Sequence, residues 1–286
     1  MRELQTTLNR LTELSRKAFV DPHTTIVWPE ALSDDSWTMS PELLSIYGSP
    51  VYENMTERQR QRLALYETIN FFSLNIHGEK ALIEGLSRRL YDRDTAELTP
   101  YIHHFLDEEN KHMQYFGGFC QKYVGKIYPE KKLPFSREYA AGEEDFLFFV
   151  KVMIFEEIVD AYNVIMARDA RLVEVARQIN LLHHQDETRH LAFGRLVVRE
   201  LYQRYSPEWS KEKLDQLRSY IGFYLKSTWR EYYNPAVYRD AGIADPYEVH
   251  AEALESERSR AHRVRISDKC VRYLKECGIL TEEPTL

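Results

Sequence analysis

Glycine and proline are scarce in this sequence, with 11 of each among 286 residues. Both residues interrupt helices and mark turns, so a chain with few of them has room for long uninterrupted helices. The stretches that lack both carry apolar residues at helical spacing, and few segments alternate in the manner of exposed strands. These features predict an all-α protein.

Cysteine, positive charge and long apolar runs are scarce as well. The three cysteines, Cys120, Cys270 and Cys277, match no familiar zinc spacing and make a poor disulfide framework, which favours a reducing, cytoplasmic environment. The formal net charge of −7 argues against a nucleic-acid partner. No apolar run approaches the ~20 residues of a membrane span, and the charged N-terminal stretch lacks an apolar secretion signal, so we expect no membrane partner.

Helical periodicity divides the chain into long segments with short links. Thr56 and Gln59 have capping-box spacing at the start of the first long helix. No linker rich in Gly, Pro or Ser divides the chain, so residues 1–286 are expected to form a single domain, a four-helix bundle with extra N- and C-terminal helices. The expected segments are a leading helix outside the bundle at 2–19, an irregular segment packed on the bundle at 20–55, bundle helices at about 56–91, 97–123, 142–168 and 172–205, further helices at about 211–233 and 246–278, and loops at 125–136 and 234–242.

Two of the bundle helices carry the same short motif, Glu-x-x-His. The second helix contains Glu109-x-x-His112, and the fourth contains Glu187-x-x-His190. Residues three apart lie about 60° apart around a helix, so the carboxylate and the imidazole can reach the same metal region. One such motif is common on solvated helix faces, but two of them on separate bundle helices predict a metal site.

The other two bundle helices should each supply one glutamate. Glu79 lies as far before the turn centred near Asp94 as Glu109 lies after it, so the two should be level in an antiparallel pair. On the third helix, Glu156 and Glu157 both lie in an apolar run, where a charged side chain needs a partner. Glu156 is preferred, and Glu157 stays open as the alternative.

Residues beside the second motif extend the predicted site. His183 lies one turn before the motif glutamate on the same helix face, either as a third histidine ligand or as a hydrogen-bond partner of a ligand. Asp186 and Glu108 each directly precede a motif glutamate; each either accepts the N–H of the opposite motif's histidine or is simply solvated. Arg189 could pair with Asp186, and His184 should point about 100° away from the site.

The predicted ligand set has more carboxylates than imidazoles and no thiolate. Such donors suit Fe or Mn, and the ligands do not decide between the two metals. A glutamate from each of two helices and a Glu-x-x-His from each of the other two is the pattern of ferritin-like di-iron and di-manganese proteins, which makes the predicted fold a ferritin-like bundle. The predicted ligands are Glu79, Glu109, His112, Glu156, His183, Glu187 and His190.

The substrate pocket should border the metals and be largely apolar. Six aromatic residues lie within two turns of a predicted ligand, and most of them should belong to the core, with one or two lining a substrate channel. They are Phe72, Tyr115, Phe116, Phe155, Tyr162 and Phe193.

With these residues, the sequence resembles the non-haem di-iron N-oxygenases, the family of p-aminobenzoate N-oxygenase and related arylamine oxygenases. The resemblance covers roughly residues 40–245, and its most specific element is His183. It implies a homodimer with two irons, O2 as co-substrate, and an electron-donor protein or small reductant. It also implies oxidation of a primary amine nitrogen to hydroxylamine, with nitroso or nitro as further stages, on a small aryl or amino-acid-derived substrate of secondary metabolism. The matching residues are Glu79, Glu109-x-x-His112, the Glu156 region and His183-x-x-x-Glu187-x-x-His190.

Three other functions use the same cluster and stay open as alternatives. A di-iron enzyme could hydroxylate or desaturate carbon instead of nitrogen. A ferritin-like protein could store iron without turnover, although the long N-terminal segment and the helices after residue 210 argue against a storage cage. A radical-generating subunit would need a tyrosine near the irons.

Overall fold

The computed structural model describes residues 2–130 and 138–286, and over these ranges the protein is helical and contains no β-strand. The all-α prediction is therefore confirmed. Single 3-10 turns lie at Pro41–Leu43, Ala96–Leu98 and Ser206–Glu208. The α-helices are α1 (Arg2–Lys17), α2 (Pro50–Glu53), α3 (Glu57–Arg89), α4 (Thr99–Tyr123), α5 (Glu143–Arg168), α6 (Glu174–Tyr205), α7 (Lys211–Tyr232), α8 (Pro235–Ala241), α9 (Pro246–Glu255) and α10 (Glu257–Glu276).

Helices α3 to α6 form the four-helix bundle of the ferritin-like fold. Helix α3 packs mainly along α4, and α5 packs mainly along α6. The predicted capping box begins α3, because the Thr56 hydroxyl accepts from the Gln59 amide while the Gln59 side chain accepts from the Thr56 amide. The core between the helices is rich in fully buried aromatic rings, and no described helix has the length and apolar character needed to cross a membrane.

Residues before α3 contribute buried side chains next to the bundle. Helix α1 packs against α4 and α6 and buries Leu4, Leu8 and Leu11, as expected of an amphipathic helix. The segment at 20–55 is mostly irregular and buries residues such as Ile26 and Met39.

The sequence-based prediction was wrong at residues 235–241, which form α8 and not a loop. The Asn234 side chain accepts from the amide of Ala236, Pro235 occupies the first turn, and Gly242 ends the helix at a φ of 85°. Asparagine before proline and glycine after the last turn are ordinary helix boundary signals.

Other predicted boundaries differ by smaller amounts. The segment predicted as helix at 246–278 is divided into α9 and α10 at Ser256, whose hydroxyl caps α10. The loop predicted at 125–136 is non-helical over 125–130, and the remainder lies outside the described residues. The single-domain organisation stays a prediction.

Candidate metal centre

The four bundle helices bring seven side chains into one buried cluster, the inner cluster. Each of these side chains is at most 2% exposed. Their candidate ligand atoms form overlapping groups whose members lie within 4.8 Å of one another. The inner cluster consists of Glu79 from α3, Glu109 and His112 from α4, Glu156 from α5, and His183, Glu187 and His190 from α6.

Glu109 and Glu187 are placed between the histidines. Glu109 lies 2.8 Å from Nδ1 of His190 and 3.2 Å from Nδ1 of His112. Glu187 lies 3.1 Å from both Nδ1 of His190 and Nε2 of His183. Each of these two carboxylates therefore lies within 3.2 Å of two imidazole nitrogens, so each could hold a metal ion together with a histidine.

Glu156 and Glu157 point to different surroundings. The Glu156 carboxylate lies with His183 and Glu187 in the inner cluster. The Glu157 carboxylate instead pairs with Arg195 and lies 3.7 Å from Lys269. The structure therefore favours Glu156 over its sequence neighbour as the third-helix residue of the site.

Several polar atoms of the inner cluster have no hydrogen-bond partner within the described residues. They include both carboxylate oxygens of Glu79 and Glu156, one oxygen each of Glu109 and Glu187, and Nε2 of His183. Buried charged groups without partners are strongly unfavourable. When all four are ionised, the carboxylates carry four negative charges, which two divalent cations would balance. The oxygen-rich donor set with imidazole therefore fits iron or manganese.

The pKa values of the inner carboxylates show how strongly their charges interact. Burial, followed by repulsion from neighbouring glutamates, raises the pKa of Glu109 and of Glu156 well above the usual value. Burial acts in the same direction on Glu187, but the adjacent His190 and His183 outweigh it and hold its pKa well below the usual value. Protons and metal ions thus compete for the same oxygens.

Two carboxylates outside the inner cluster hold the motif histidines. Nε2 of His112 donates to Asp186 at 3.0 Å, and Nε2 of His190 donates to Glu108 at 2.8 Å. Each histidine is thus held by the acid that precedes the opposite motif, as the sequence predicts. An N–H at Nε2 leaves the Nδ1 lone pair facing the inner cluster.

These two acids belong to the outer ion network, which comprises Glu108, Lys111, Asp186 and Arg189. Arg189 contacts Glu108 at 2.6 Å and Asp186 at 2.5 Å, and its Nε donates to Ser15 of α1 at 3.0 Å. Lys111 lies 2.6 Å from Asp186 and is buried. Although burial alone would raise them, the pKa values of both acids are lowered, because each is paired with a histidine and with these cations.

Sequence reasoning anticipated Arg189 but missed Lys111, Ser15 and Asn163. The Asn163 side-chain amide nitrogen contacts Nδ1 of His183 at 2.5 Å, and Nε2 of His183 faces the inner cluster. The sequence signal for Asn163 is its position as a polar residue in the apolar run of α5. His184 points away from the cluster, as predicted, and contacts Asp160 at 2.6 Å.

Aromatic rings enclose the inner cluster. Phe105 stacks on the His190 ring at a centroid distance of 3.9 Å, and Phe116 meets the His183 ring edge-on at 4.9 Å. Of the six aromatic residues considered from sequence, five are buried core residues and Phe155 is partly buried.

The ferritin-like bundle and its carboxylate-rich inner cluster define a class, the helical proteins that carry two-metal carboxylate centres. Residues 2–278 match the family described as p-aminobenzoate N-oxygenase AurF. The chain belongs to this family and is an enzyme of the di-iron N-oxygenase type, so the resemblance seen in the sequence is confirmed over a longer range than expected. No curated protein matches the chain.

Proposed function

We propose that this enzyme transfers one atom of O2 to the nitrogen of a primary amine on a small aryl or amino-acid-derived substrate. An amine, O2, two electrons and two protons give a hydroxylamine and water. Further rounds would give nitroso or nitro products. The observation that carries the proposal is a buried set of carboxylates and imidazoles with unpartnered atoms, in a chain of the N-oxygenase family.

The proposed ligands of two iron ions are the seven residues of the inner cluster, Glu79, Glu109, His112, Glu156, His183, Glu187 and His190. Bound iron would supply the reduction of O2. Glu109 and Glu187 would hold the ions together with the histidines, since each lies within 3.2 Å of two imidazole nitrogens. Manganese would fit the same donors.

The other parts of the chain are proposed to position and shield this centre. Glu108 and Asp186 fix the ring orientation of the motif histidines through their Nε2–H groups. The rings of Phe105 and Phe116 pack on two of the imidazoles and exclude water on those sides. Electrostatic interactions within such a dry site are stronger than in solution.

The electron balance requires an external donor, either a protein or a small reductant. A homodimer and a role in secondary metabolism also belong to this proposal. Light scattering tests the homodimer directly. The expected mass is twice that of the 34.0 kDa chain.

The test is the fate of labelled oxygen. The protein is loaded anaerobically with Fe(II), mixed with a chemical reductant and 18O2, and incubated with aryl amines and with amino acids that carry a side-chain amine. The expected product contains labelled oxygen on nitrogen. Label on carbon, or loss of two hydrogens without label, would establish the carbon-oxidising alternative, and iron uptake without any amine product would favour storage.

A further inference from the structure

A cavity of about 300 Å³ opens at the surface beside the bundle. Its wall comes from the segment before α2, from α3, α5 and α7, and from α10. Its volume is at the lower end of the range for small-molecule sites. The lining residues that matter are Ser45, Glu67, Tyr162, Tyr232, His262 and Arg265.

Glu67 is a buried carboxylate in this wall, and no cation pairs with it over residues 2–130 and 138–286. Its side chain is 5% exposed, and one oxygen accepts from both the amide and the hydroxyl of Ser45. Among the described residues, no basic side chain lies within ion-pair distance of it. Burial raises the pKa of Glu67 to about 7. A cation in the cavity would supply the missing partner.

The remaining inner wall also suits a cation. The Tyr232 hydroxyl is buried and has no hydrogen-bond partner in the part of the chain that the structure describes, so its oxygen can accept. The Tyr162 hydroxyl contacts Nε2 of His262 at 3.1 Å. Phenol rings attract ammonium groups through their faces as well as through their oxygens. Arg258 and Arg265 lie at the exposed rim, so it is the inner part of the cavity, with the acid and the tyrosines, that suits an organic cation.

Aromatic contacts connect the cavity to the inner cluster. Tyr162 lies six residues after Glu156 on α5, about 9 Å along the helix axis. The contacts run through ring pairs with centroid separations between 4.9 and 5.8 Å. These rings are buried and packed on one another, so an apolar spacer that joins the two sites would have to pass between rings that separate to admit it. The rings, in order, are Tyr162, Phe71, Phe72, Phe116 and His183.

We propose that the cavity binds the end of the substrate that does not react, and that this end carries an ammonium group paired with Glu67. The substrate is then an extended amine with a second cationic group, either a diamine or an amino acid with a side-chain amine. This inference rests on the proposed function. Arg265 is exposed at the rim, where it would meet the carboxylate of an amino acid but has no counterpart in a diamine.

The test is ligand binding to the Fe(II)-loaded protein without O2, by titration calorimetry. The probes are a series of linear diamines of increasing length, L-lysine, and aniline as an uncharged control. In Glu67→Gln, we expect the affinity for the best diamine and for L-lysine to fall at least tenfold, while aniline binding is unchanged. The matched control is Glu42→Gln, because this rim carboxylate is exposed and already paired with Arg171; it should leave all affinities unchanged.

A second variant keeps the test decisive if Glu67→Gln fails to fold. Ala261 is exposed at the rim, so Ala261→Trp should narrow the cavity without disturbing the core, and it should weaken diamine binding at least tenfold. The variant Arg265→Gln distinguishes the two substrate classes. If it loses affinity for L-lysine but not for diamines, the substrate is an amino acid; if its affinity for L-lysine is unchanged, the substrate is a diamine.

The inference and the proposed function fail in different ways. If diamines and L-lysine bind equally well to the wild type and to Glu67→Gln, the cavity proposal is overturned even when labelled hydroxylamines form. If no amine is oxygenated but binding still depends on Glu67, the N-oxygenase proposal fails and the cation site stands.

Discussion

The inner cluster and the outer ion network are both buried groups of charged residues, yet their charges are balanced differently. In the outer ion network, Glu108 and Asp186 are paired with Arg189, and Asp186 is paired with Lys111 as well. In the inner cluster, carboxylate oxygens and one imidazole nitrogen have no hydrogen-bond partner within the described residues. The outer acids are paired with arginine and lysine of the chain itself, whereas the inner carboxylates outnumber the histidines beside them and leave oxygens that added cations would occupy.

The two acidic residues at each motif therefore have different roles. The acid before each motif glutamate orients a histidine, and the motif glutamate itself faces the inner cluster. Because the orienting acids have their own cations, the imidazoles can be held in place before metal enters. Variants of the inner cluster should therefore lose metal, whereas variants of the outer ion network should bind metal with lower affinity.

The largest effect is expected in the inner cluster, from Glu109→Gln. This change removes a charge from a carboxylate that reaches two imidazoles. We expect amine oxygenation to fall by more than about 100-fold, beyond the range for residues behind the ligands. Product formation and bound iron are measured together. Wild-type turnover in this variant would show that Glu109 is not a metal ligand.

In the outer ion network, Asp186→Asn should weaken metal binding or activity by about 10- to 100-fold. It also leaves the buried Lys111 without its carboxylate, at a cost of about 3–5 kcal/mol in the free energy of unfolding. Denaturant unfolding of Asp186→Asn and of the double variant with Lys111→Met separates the two effects. The double variant should regain stability but not metal affinity; recovery of both would show that Asp186 acts only as the partner of the lysine.

Metal affinity should rise with pH. The pKa values of Glu109 and Glu156 are raised in the protein without metal, whereas a metal ligand must be ionised, so metal binding releases protons. Each displaced proton changes the affinity by up to about tenfold per pH unit while the group is protonated. Calorimetric titration with Mn(II) in buffers between about pH 6 and pH 8 measures this slope. An affinity that falls as the pH rises would contradict the assignment.

The smallest effect is expected from Ser15→Ala, at the contact between α1 and the outer ion network. This change removes one hydrogen bond to Arg189, whose two carboxylate partners remain. We expect a loss of about 1 kcal/mol in stability and unchanged iron content. Thermal unfolding and metal analysis measure these effects. Loss of iron would place α1 among the elements that hold the metal centre.

The parts of the structure that sequence could predict are those that follow from helical spacing. Residues three or four apart share a helix face, which is why the motif residues and His183 converge as expected. Equal distance from a turn placed Glu79 level with Glu109. Between Glu156 and Glu157, spacing alone was indecisive, because the rotation of α5 depends on its packing.

The parts that sequence could not predict depend on contacts between distant segments. Lys111 and Ser15 became identifiable only when α1 and α4 were seen to meet α6. The Glu67 cavity is lined by several separate segments, so no local sequence pattern predicts it. Helix α8 is a different case. Its boundary signals, Asn234 and Gly242, were present in the sequence, but Pro235 led to the prediction of a loop.

The most direct test of the metal centre is the iron content of three proteins loaded anaerobically with Fe(II) and freed of excess metal. They are the wild type, Glu156→Gln and Glu157→Gln, which alter adjacent residues with different surroundings. The account predicts about two irons per chain in the wild type and in Glu157→Gln, and fewer in Glu156→Gln. No bound iron in the wild type, or full loading of Glu156→Gln alongside loss in Glu157→Gln, would contradict it.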